Sequence, residues 1–287
     1  MRRSLSLLLA VSLLIAPGTA SAKPPAVEPD IVYGHKDGMA LTMDLFRPTA
    51  EPNGAAVLFM VSGGWYSKWK PPQESRWLFL PFLTNGYSVF AVRHGSSPRY
   101  TIPEAVADVR LATRFVRNHA DRWGIDPERL GALGASAGGH LALMLATTGD
   151  DGDPDAEDPL GRTPSRVAAV SALVPPTDLR VAVWSAPESL PAYRKFPALD
   201  LPMDQAAEQS PLLHVTPDDA PALLIMGGRD ELVPKRHGEW IEAALKREGV
   251  THKLIVYPNA GHSLEDLFPN ALMETINWFN EHLANRP

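Results

Sequence analysis

One serine in this sequence has the neighbours that a nucleophile needs. Ser136 is the centre of GASAG at 134–138, which follows the apolar run 130–133 and leads into a helical pattern. A strand, a sharp turn and a helix are therefore predicted here, and only small residues fit beside a serine on such a turn. The N-terminus of the helix would favour developing negative charge. The pattern predicts attack on a carbonyl carbon, although five such residues also fit an inert glycine-rich turn.

A serine hydroxyl needs a base, and the base needs a carboxylate to orient it. Asp230 follows the apolar run 222–226, and His262 follows the next strand-like run, 253–257. Strands of a parallel sheet end at a common edge, so both side chains are expected near Ser136. Together the three residues predict a catalytic triad in which His262 takes the serine proton.

Other residues compete for these roles. Asp178 follows the strand-like run 167–173 and could orient the histidine instead, but Asp230 is favoured because its strand directly precedes the histidine loop. Glu231 adjoins Asp230 but is expected to point away. His140, on the helix after Ser136, is expected to be a packed or capping residue.

The negative oxygen of a tetrahedral intermediate needs backbone amides already aimed at it. Ala137 is expected to supply one amide. The loop after the strand-like run 55–61 is expected to supply the other, because Gly63 and Gly64 let amides face a ligand without obstruction. Both glycines remain candidates, and a merely flexible turn is the alternative. Trp65 follows them as a candidate substrate contact.

The elements that must position these residues alternate between strand-like and helix-like periodicity, which predicts an α/β fold with a parallel sheet. The predicted strands are 30–33, 41–46, 55–61, 88–92, 130–133, 167–173, 222–226 and 253–257. The predicted helices are 103–118, 138–146, 235–248 and 264–283. Residues 179–209 are irregular and rich in proline, which predicts a small cap segment. Its aromatic residues Trp184, Tyr193 and Phe196 are candidates to line a substrate site.

Composition restricts the alternatives. The chain has 287 residues, of which 45% are hydrophobic, which suits one globular domain. A net charge of -6 without basic runs argues against nucleic acid as a partner. The absence of cysteine excludes thiol nucleophiles and disulfides. The acidic residues of 150–158 do not follow the spacing of a calcium loop, so a solvated loop is expected, and no metal or cofactor is predicted.

The N-terminus has the pattern of an export signal. Arg2 and Arg3 precede an apolar run at 5–16, and the small residues Ala20, Ser21 and Ala22 follow. The run is too short to span a bilayer, so cleavage after Ala22 is predicted. The general secretory route is favoured, and the paired arginines also allow the twin-arginine route. These observations predict a signal peptide at 1–22 and an exported domain at 23–287 without a later membrane span.

The combination of motifs resembles the α/β-hydrolase superfamily, and within it secreted esterases of the feruloyl esterase and carboxylesterase (BD-FAE-like) type. Besides the serine turn, the resemblance rests on the segments PEAVAD at 103–108, WGIDPER at 123–129, PPTDL at 175–179 and SPLL at 210–213. It implies an eight-stranded, mostly parallel sheet and no cofactor. Such proteins often carry a histidine before the glycines of the oxyanion loop, whereas this chain has Val61 there and Ser62 at the first glycine.

The expected reaction is hydrolysis of a carboxylic ester, aromatic or carbohydrate-borne, through an acyl-enzyme. Two alternatives remain: a serine peptidase related to the prolyl oligopeptidases, and a binding protein that keeps the fold without turnover. The peptidases usually carry a further large domain, and the intact set of Ser136, Asp230 and His262 argues against a binding protein.

Overall fold

The computed structural model describes residues 26–284, and the predicted signal peptide lies outside them. The strands are β1 Val27–Lys36, β2 Met39–Phe46, β3 Ala56–Met60, β4 Ser88–Val92, β5 Leu130–Ala135, β6 Ala169–Leu173, β7 Ala222–Gly227 and β8 His252–Tyr257. The α-helices are α1 Pro72–Thr84, α2 Ile102–Asn118, α3 Ala120–Trp123, α4 Ala137–Thr148, α5 Met203–Glu208, α6 Arg236–Glu248 and α7 Phe268–Phe279.

The strands form one 8-stranded sheet in the order β1-β2-β4-β3-β5-β6-β7-β8. The pairs β1–β2 and β2–β4 are antiparallel, and every other pair is parallel. Each predicted strand is present, with ends moved by up to three residues. The predicted mostly parallel sheet is therefore confirmed, and it brings the C-terminal ends of β3, β5, β7 and β8 to one edge.

Helices cover both faces of the sheet, which explains why the central strands are apolar throughout. Val109 of α2, Leu141 of α4 and Ile241 of α6 belong to the hydrophobic cluster on one face. Phe79 of α1 and Ile276 of α7 belong to the cluster on the other face. Strand β5 is thus buried on both sides, and it carries Ser136 at its end.

Helix α1 was not predicted, because prolines obscure its pattern. Pro72 stands in the first turn, where proline is tolerated, but Pro81 lies inside the helix. The predicted helix 264–283 instead begins at Phe268, since Leu264 has a positive φ of 58° and a short 3₁₀ turn follows. These differences come from tertiary packing, which overrides local preference.

The segment 179–209 contains no strand. Its regular structure is short: 3₁₀ turns at Leu179–Val181, Pro191–Lys195 and Pro197–Leu199, and helix α5. Within residues 26–284, no helix has the length and apolar character needed to cross a bilayer. The acidic loop is held by arginines: Arg114 binds Asp150 at 2.7 Å, and Arg166 binds Asp151 at 2.7 Å.

Candidate active site

Ser136 lies on a strained turn between β5 and α4. Its φ of 55° and ψ of −124° are unusual for a residue with a side chain. Small neighbours are required, because a Cβ on Gly134 would overlap the backbone of Gly138, and a Cβ on Gly138 would lie 2.6 Å from the Met60 carbonyl oxygen. The turn therefore exposes the serine hydroxyl at the edge of the sheet, as the sequence pattern predicts.

Asp230 and His262 come from two loops that are bonded to each other. The loop after β7 donates its Gly228 amide to the Tyr257 carbonyl at 2.8 Å and its Arg229 amide to the Ala260 carbonyl at 2.9 Å. These bonds join it to the loop that follows β8 and carries the histidine. Two residues that are distant in the sequence are thereby fixed side by side.

The three predicted side chains form a continuous hydrogen-bonded chain. His262 Nδ1 lies 2.7 Å from Asp230 Oδ2, and His262 Nε2 lies 2.9 Å from Ser136 Oγ. Because a carboxylate only accepts, Nδ1 carries the proton and Nε2 is free to accept the serine proton. The other Asp230 oxygen accepts the amides of Leu232 and Val233, each at 2.8 Å. The carboxylate is buried and oriented before any substrate arrives.

The rival carboxylate Asp178 is occupied elsewhere. It accepts Arg180 Nε at 2.9 Å and Nη2 at 2.8 Å, as well as the Arg180 amide at 3.0 Å. Burial opposes ionisation of Asp178, but the Arg180 hydrogen bonds and charge outweigh it and lower the pKa of the carboxyl. Glu231 is exposed. The structure therefore assigns Asp230 as the histidine's partner.

Hydrogen bonding in the loop Ser62–Trp65 distinguishes the two glycine candidates for the oxyanion hole. The Gly63 amide donates to the Tyr66 carbonyl at 3.0 Å, which favours Gly64 of the two candidate donors. Within residues 26–284, the amides of Gly64 and Ala137 have no hydrogen-bond acceptor. Both residues border Ser136, and Gly64 lines the same cavity as the serine. The first amide of a helix is unpaired by geometry, which explains Ala137.

A buried histidine supports this loop, and sequence reasoning missed it. His94 Nδ1 lies 2.8 Å from the Gly95 carbonyl oxygen, so Nδ1 carries a proton. Burial lowers the pKa of His94, which favours the neutral ring. His94 Nε2 then accepts from Ser62 Oγ at 2.9 Å. Val61 stands where related loops often have a histidine, and here a histidine reaches the loop from the end of β4.

A second buried histidine holds Trp65. His140 Nε2 lies 2.7 Å from the Gln209 carbonyl oxygen, and Trp65 Nε1 donates to His140 Nδ1 at 3.2 Å. Burial lowers the pKa of His140 to about 4, so the ring is neutral at ordinary pH. His140 is thus a packed residue, as expected, and it links the nucleophile helix to the oxyanion loop and the cap segment.

A small apolar cavity of about 30 Å³ adjoins the serine. It is lined by Gly64, Trp65, Ser136, Pro176, Ala182, Tyr193, Phe196, Leu199, Leu232 and Val233. Trp65 is therefore placed as predicted. Trp184 is not among the lining residues, and its Nε1 donates to the Tyr193 carbonyl at 2.9 Å, so its contact with substrate stays a prediction. Tyr193 and Phe196 line the cavity instead, and the Tyr193 hydroxyl donates to the Leu232 carbonyl at 2.7 Å.

No group of three or more His, Cys, Asp or Glu side chains in residues 26–284 is arranged to hold a metal ion. The sheet order, the strained serine turn and the Ser136–His262–Asp230 chain define a hydrolase of the α/β type. Comparison with known proteins gives the family. The chain belongs to the BD-FAE family, whose model matches residues 43–245.

Several known proteins are similar to this chain. Esterase LipQ of Mycobacterium tuberculosis is 28% identical over 243 residues, which cover 82% of this chain and 57% of LipQ. An acetylxylan esterase of Xylanibacter ruminicola is 29% identical over 233 residues, or 79% of this chain and 44% of that protein. The chain spans little more than half the length of the curated relatives that it matches best.

Solved structures share the fold. A truncated carbohydrate esterase from gut microbiota superposes with a TM-score of 0.77 at 23% identity, covering 91% of this chain and 97% of that one. A likeness at this identity concerns the fold, and it agrees with the sheet described above.

Proposed function

We propose that this chain hydrolyses carboxylic esters through an acyl-enzyme intermediate. The observation that carries the proposal is the hydrogen-bonded chain from Ser136 Oγ through His262 to the buried Asp230. A strained serine beside an imidazole, itself fixed by a carboxylate, is an arrangement that activates a hydroxyl. The names of the relatives, an esterase and an acetylxylan esterase, support the same reaction.

The reaction proceeds in two halves. Ser136 Oγ attacks the ester carbonyl carbon while His262 Nε2 accepts the serine proton. The resulting oxyanion accepts hydrogen bonds from the free amides of Gly64 and Ala137. As the tetrahedral intermediate collapses, the carbon–oxygen bond to the alcohol breaks and His262 protonates the leaving oxygen. Water, deprotonated by His262, then attacks the acyl-serine; the bond from the acyl carbon to Ser136 Oγ breaks, His262 returns the proton to Oγ, and the acid departs.

The apolar cavity beside Ser136 suits the acyl group. Apart from the serine, its wall consists of apolar or aromatic residues and Gly64, and its volume of about 30 Å³ leaves room for only a small group. Phe196 closes it opposite Gly64, since a Cβ on that glycine would collide with the Phe196 ring. A short acyl chain is therefore expected, and the substrate is a small-molecule or carbohydrate-borne ester.

The decisive assay uses the purified enzyme on nitrophenyl acetate and butyrate, with a prolyl peptide amide as comparison. Ser136→Ala should lower ester kcat/KM by about 10⁴- to 10⁶-fold, because both the attack and the acyl-enzyme are lost. A fluorophosphonate probe should label the wild type and not this variant. Turnover of the peptide alone would favour a peptidase. Absence of both turnover and labelling would favour a binding protein.

The same proposal includes export. The basic residues, apolar run and small residues of 1–22 support a cleaved signal peptide, which leaves 23–287 as one exported hydrolase domain with a cap at 179–209. The test is to express the full chain in a bacterium and to determine the N-terminus of the protein in the periplasm and medium. An N-terminus at Lys23 is expected, and an uncleaved chain in the cytoplasm would contradict export.

A further inference from the structure

A second cavity lies on the other side of the oxyanion loop. Gly64 and Ser136 face the apolar acyl cavity, whereas their chain neighbours Gly63 and Ala135 line this second one. It is an open cavity of about 460 Å³, and it extends from the ends of β3 and β5 to helix α1. The second cavity thus begins one residue along the chain from the nucleophile and from the oxyanion-loop glycine Gly64.

Positive side chains that line this cavity outnumber the carboxylates that could neutralise them. Arg93 and Asp44 both line it, but they pair at 2.6 Å, and Arg93 also binds Asp30 at 2.9 Å. Lys68 and Lys70 also line it, and both are exposed. Neither lysine has a carboxylate within 4.0 Å in the part of the chain that the structure describes. A protein with a net charge of -6 thus presents two uncompensated positive charges at this one opening.

The wall also offers an aromatic surface. The ring of Tyr66 lines the cavity and is 54% exposed, although its backbone is fixed by reciprocal hydrogen bonds with Gly63 at 3.0 Å. Phe46, Phe59 and Phe79 line the inner part. An exposed aromatic ring beside cations suits a ring that carries negative charge, since one face of that ring packs on the aromatic side chain while the charge meets the ammonium groups.

We propose that this cavity is the leaving-group subsite and that it selects alcohols that combine a ring with a carboxylate. The inference rests on the proposed function, because it names the substrate class of the same serine. Lys68 and Lys70 attract the carboxylate, and Tyr66 packs against the ring. The acyl cavity, which has no charged lining residue, cannot make this distinction.

The test compares 4-acetoxybenzoate with its methyl ester, which differ in the charge of the alcohol side. Their intrinsic reactivities differ, so the readout is the ratio of variant to wild-type kcat/KM for each ester. Lys68→Gln/Lys70→Gln should lower the ratio for the anionic ester about three- to tenfold more than for the neutral one, as exposed charge pairs allow. The preference should weaken with salt. Lys246→Gln/Lys253→Gln removes two remote charges and should leave both ratios near one.

A second pair of substrates, O-acetyl galacturonic acid and O-acetyl galactose, distinguishes a sugar acid from an aromatic acid as the preferred alcohol. Selective loss with the benzoate pair alone assigns an aromatic acid, and selective loss with the sugar pair assigns a uronate. Equal losses within both pairs, or no loss, would overturn the subsite. Wild-type hydrolysis of the neutral esters would still support the proposed ester hydrolysis, so the two failures are distinguishable.

Discussion

The triad and the acyl cavity differ in the kind of structure that supplies their residues. Ser136, Asp230 and His262 follow the parallel strands β5, β7 and β8, and the loops that carry Asp230 and His262 are hydrogen-bonded to each other. Four of the ten residues that line the cavity come from residues 179–209, which contain no strand and are held by contacts such as Trp184 Nε1 to the Tyr193 carbonyl. The difference suggests that the sheet fixes the reaction, whereas the cap segment fixes which acyl group is accepted. Changes at the strand ends should therefore alter rate, and changes in the cap should alter selectivity.

The largest effect is expected from the triad carboxylate. Asp230→Asn should lower kcat by about 10³- to 10⁴-fold, because an amide in place of the carboxylate allows the wrong histidine tautomer and does not stabilise the imidazolium. Asp178→Asn is the matched control, since this carboxylate binds Arg180 instead. Steady-state kinetics on nitrophenyl acetate measure both variants. A comparable loss in Asp178→Asn would contradict the assignment of Asp230, rather than Asp178, as the partner of His262.

An intermediate effect is expected from the oxyanion loop. Ser62→Ala leaves His94 Nε2 without its donor and loosens the loop that carries Gly64, which should cost about 1–2 kcal/mol in the transition state. This corresponds to a drop in kcat of about five- to thirtyfold with KM nearly constant. Ser62→Thr keeps the hydroxyl and should retain most of the activity. An increase in KM alone would show that the loop acts on substrate binding instead.

A smaller and selective effect is expected from the cap. Phe196→Ala removes the ring opposite Gly64 and enlarges the acyl cavity. The ratio of hexanoate to acetate kcat/KM should rise about three- to tenfold, because each additional buried methylene contributes about 0.8 kcal/mol. Phe268→Ala serves as the control, because Phe268 does not line the cavity and packs against the other hydrophobic cluster. An equal fall in kcat/KM for both esters would mean that Phe196 affects the reaction itself. It would contradict the view that the sheet sets the rate and the cap sets the selectivity.

The smallest effect on turnover is expected at Trp184. Trp184→Phe removes the indole donor to the Tyr193 carbonyl and should lower the free energy of unfolding by about 1 kcal/mol. Turnover of acetate esters should change by less than about twofold, since the side chain does not line the cavity. Urea unfolding and steady-state kinetics on the same preparation check both statements. A large rise in KM would instead indicate that Trp184 contacts the substrate.

Local patterns were sufficient where chemistry demands particular residues in a particular order. Small residues around Ser136, an aspartate after one strand and a histidine after the next identified the triad, because parallel strands share an edge. Helix α1 escaped prediction, since Pro81 inside it contradicts helical preference and only packing against the sheet compensates. Gly63 and Gly64 were equivalent in the sequence, and only the hydrogen bond between the Gly63 amide and Tyr66 separated them.

The sequence alone determined the strands, the mostly parallel sheet and the three residues of the candidate triad, because periodicity and strained turns are local properties. Tertiary structure decided which glycine amide stays free, that His94 reaches the oxyanion loop through Ser62, and that Phe196 rather than Trp184 meets the acyl cavity. These outcomes depend on which distant backbone and side-chain groups meet. Contacts between groups that are distant in the sequence produce no periodic pattern, so no local pattern could have predicted them.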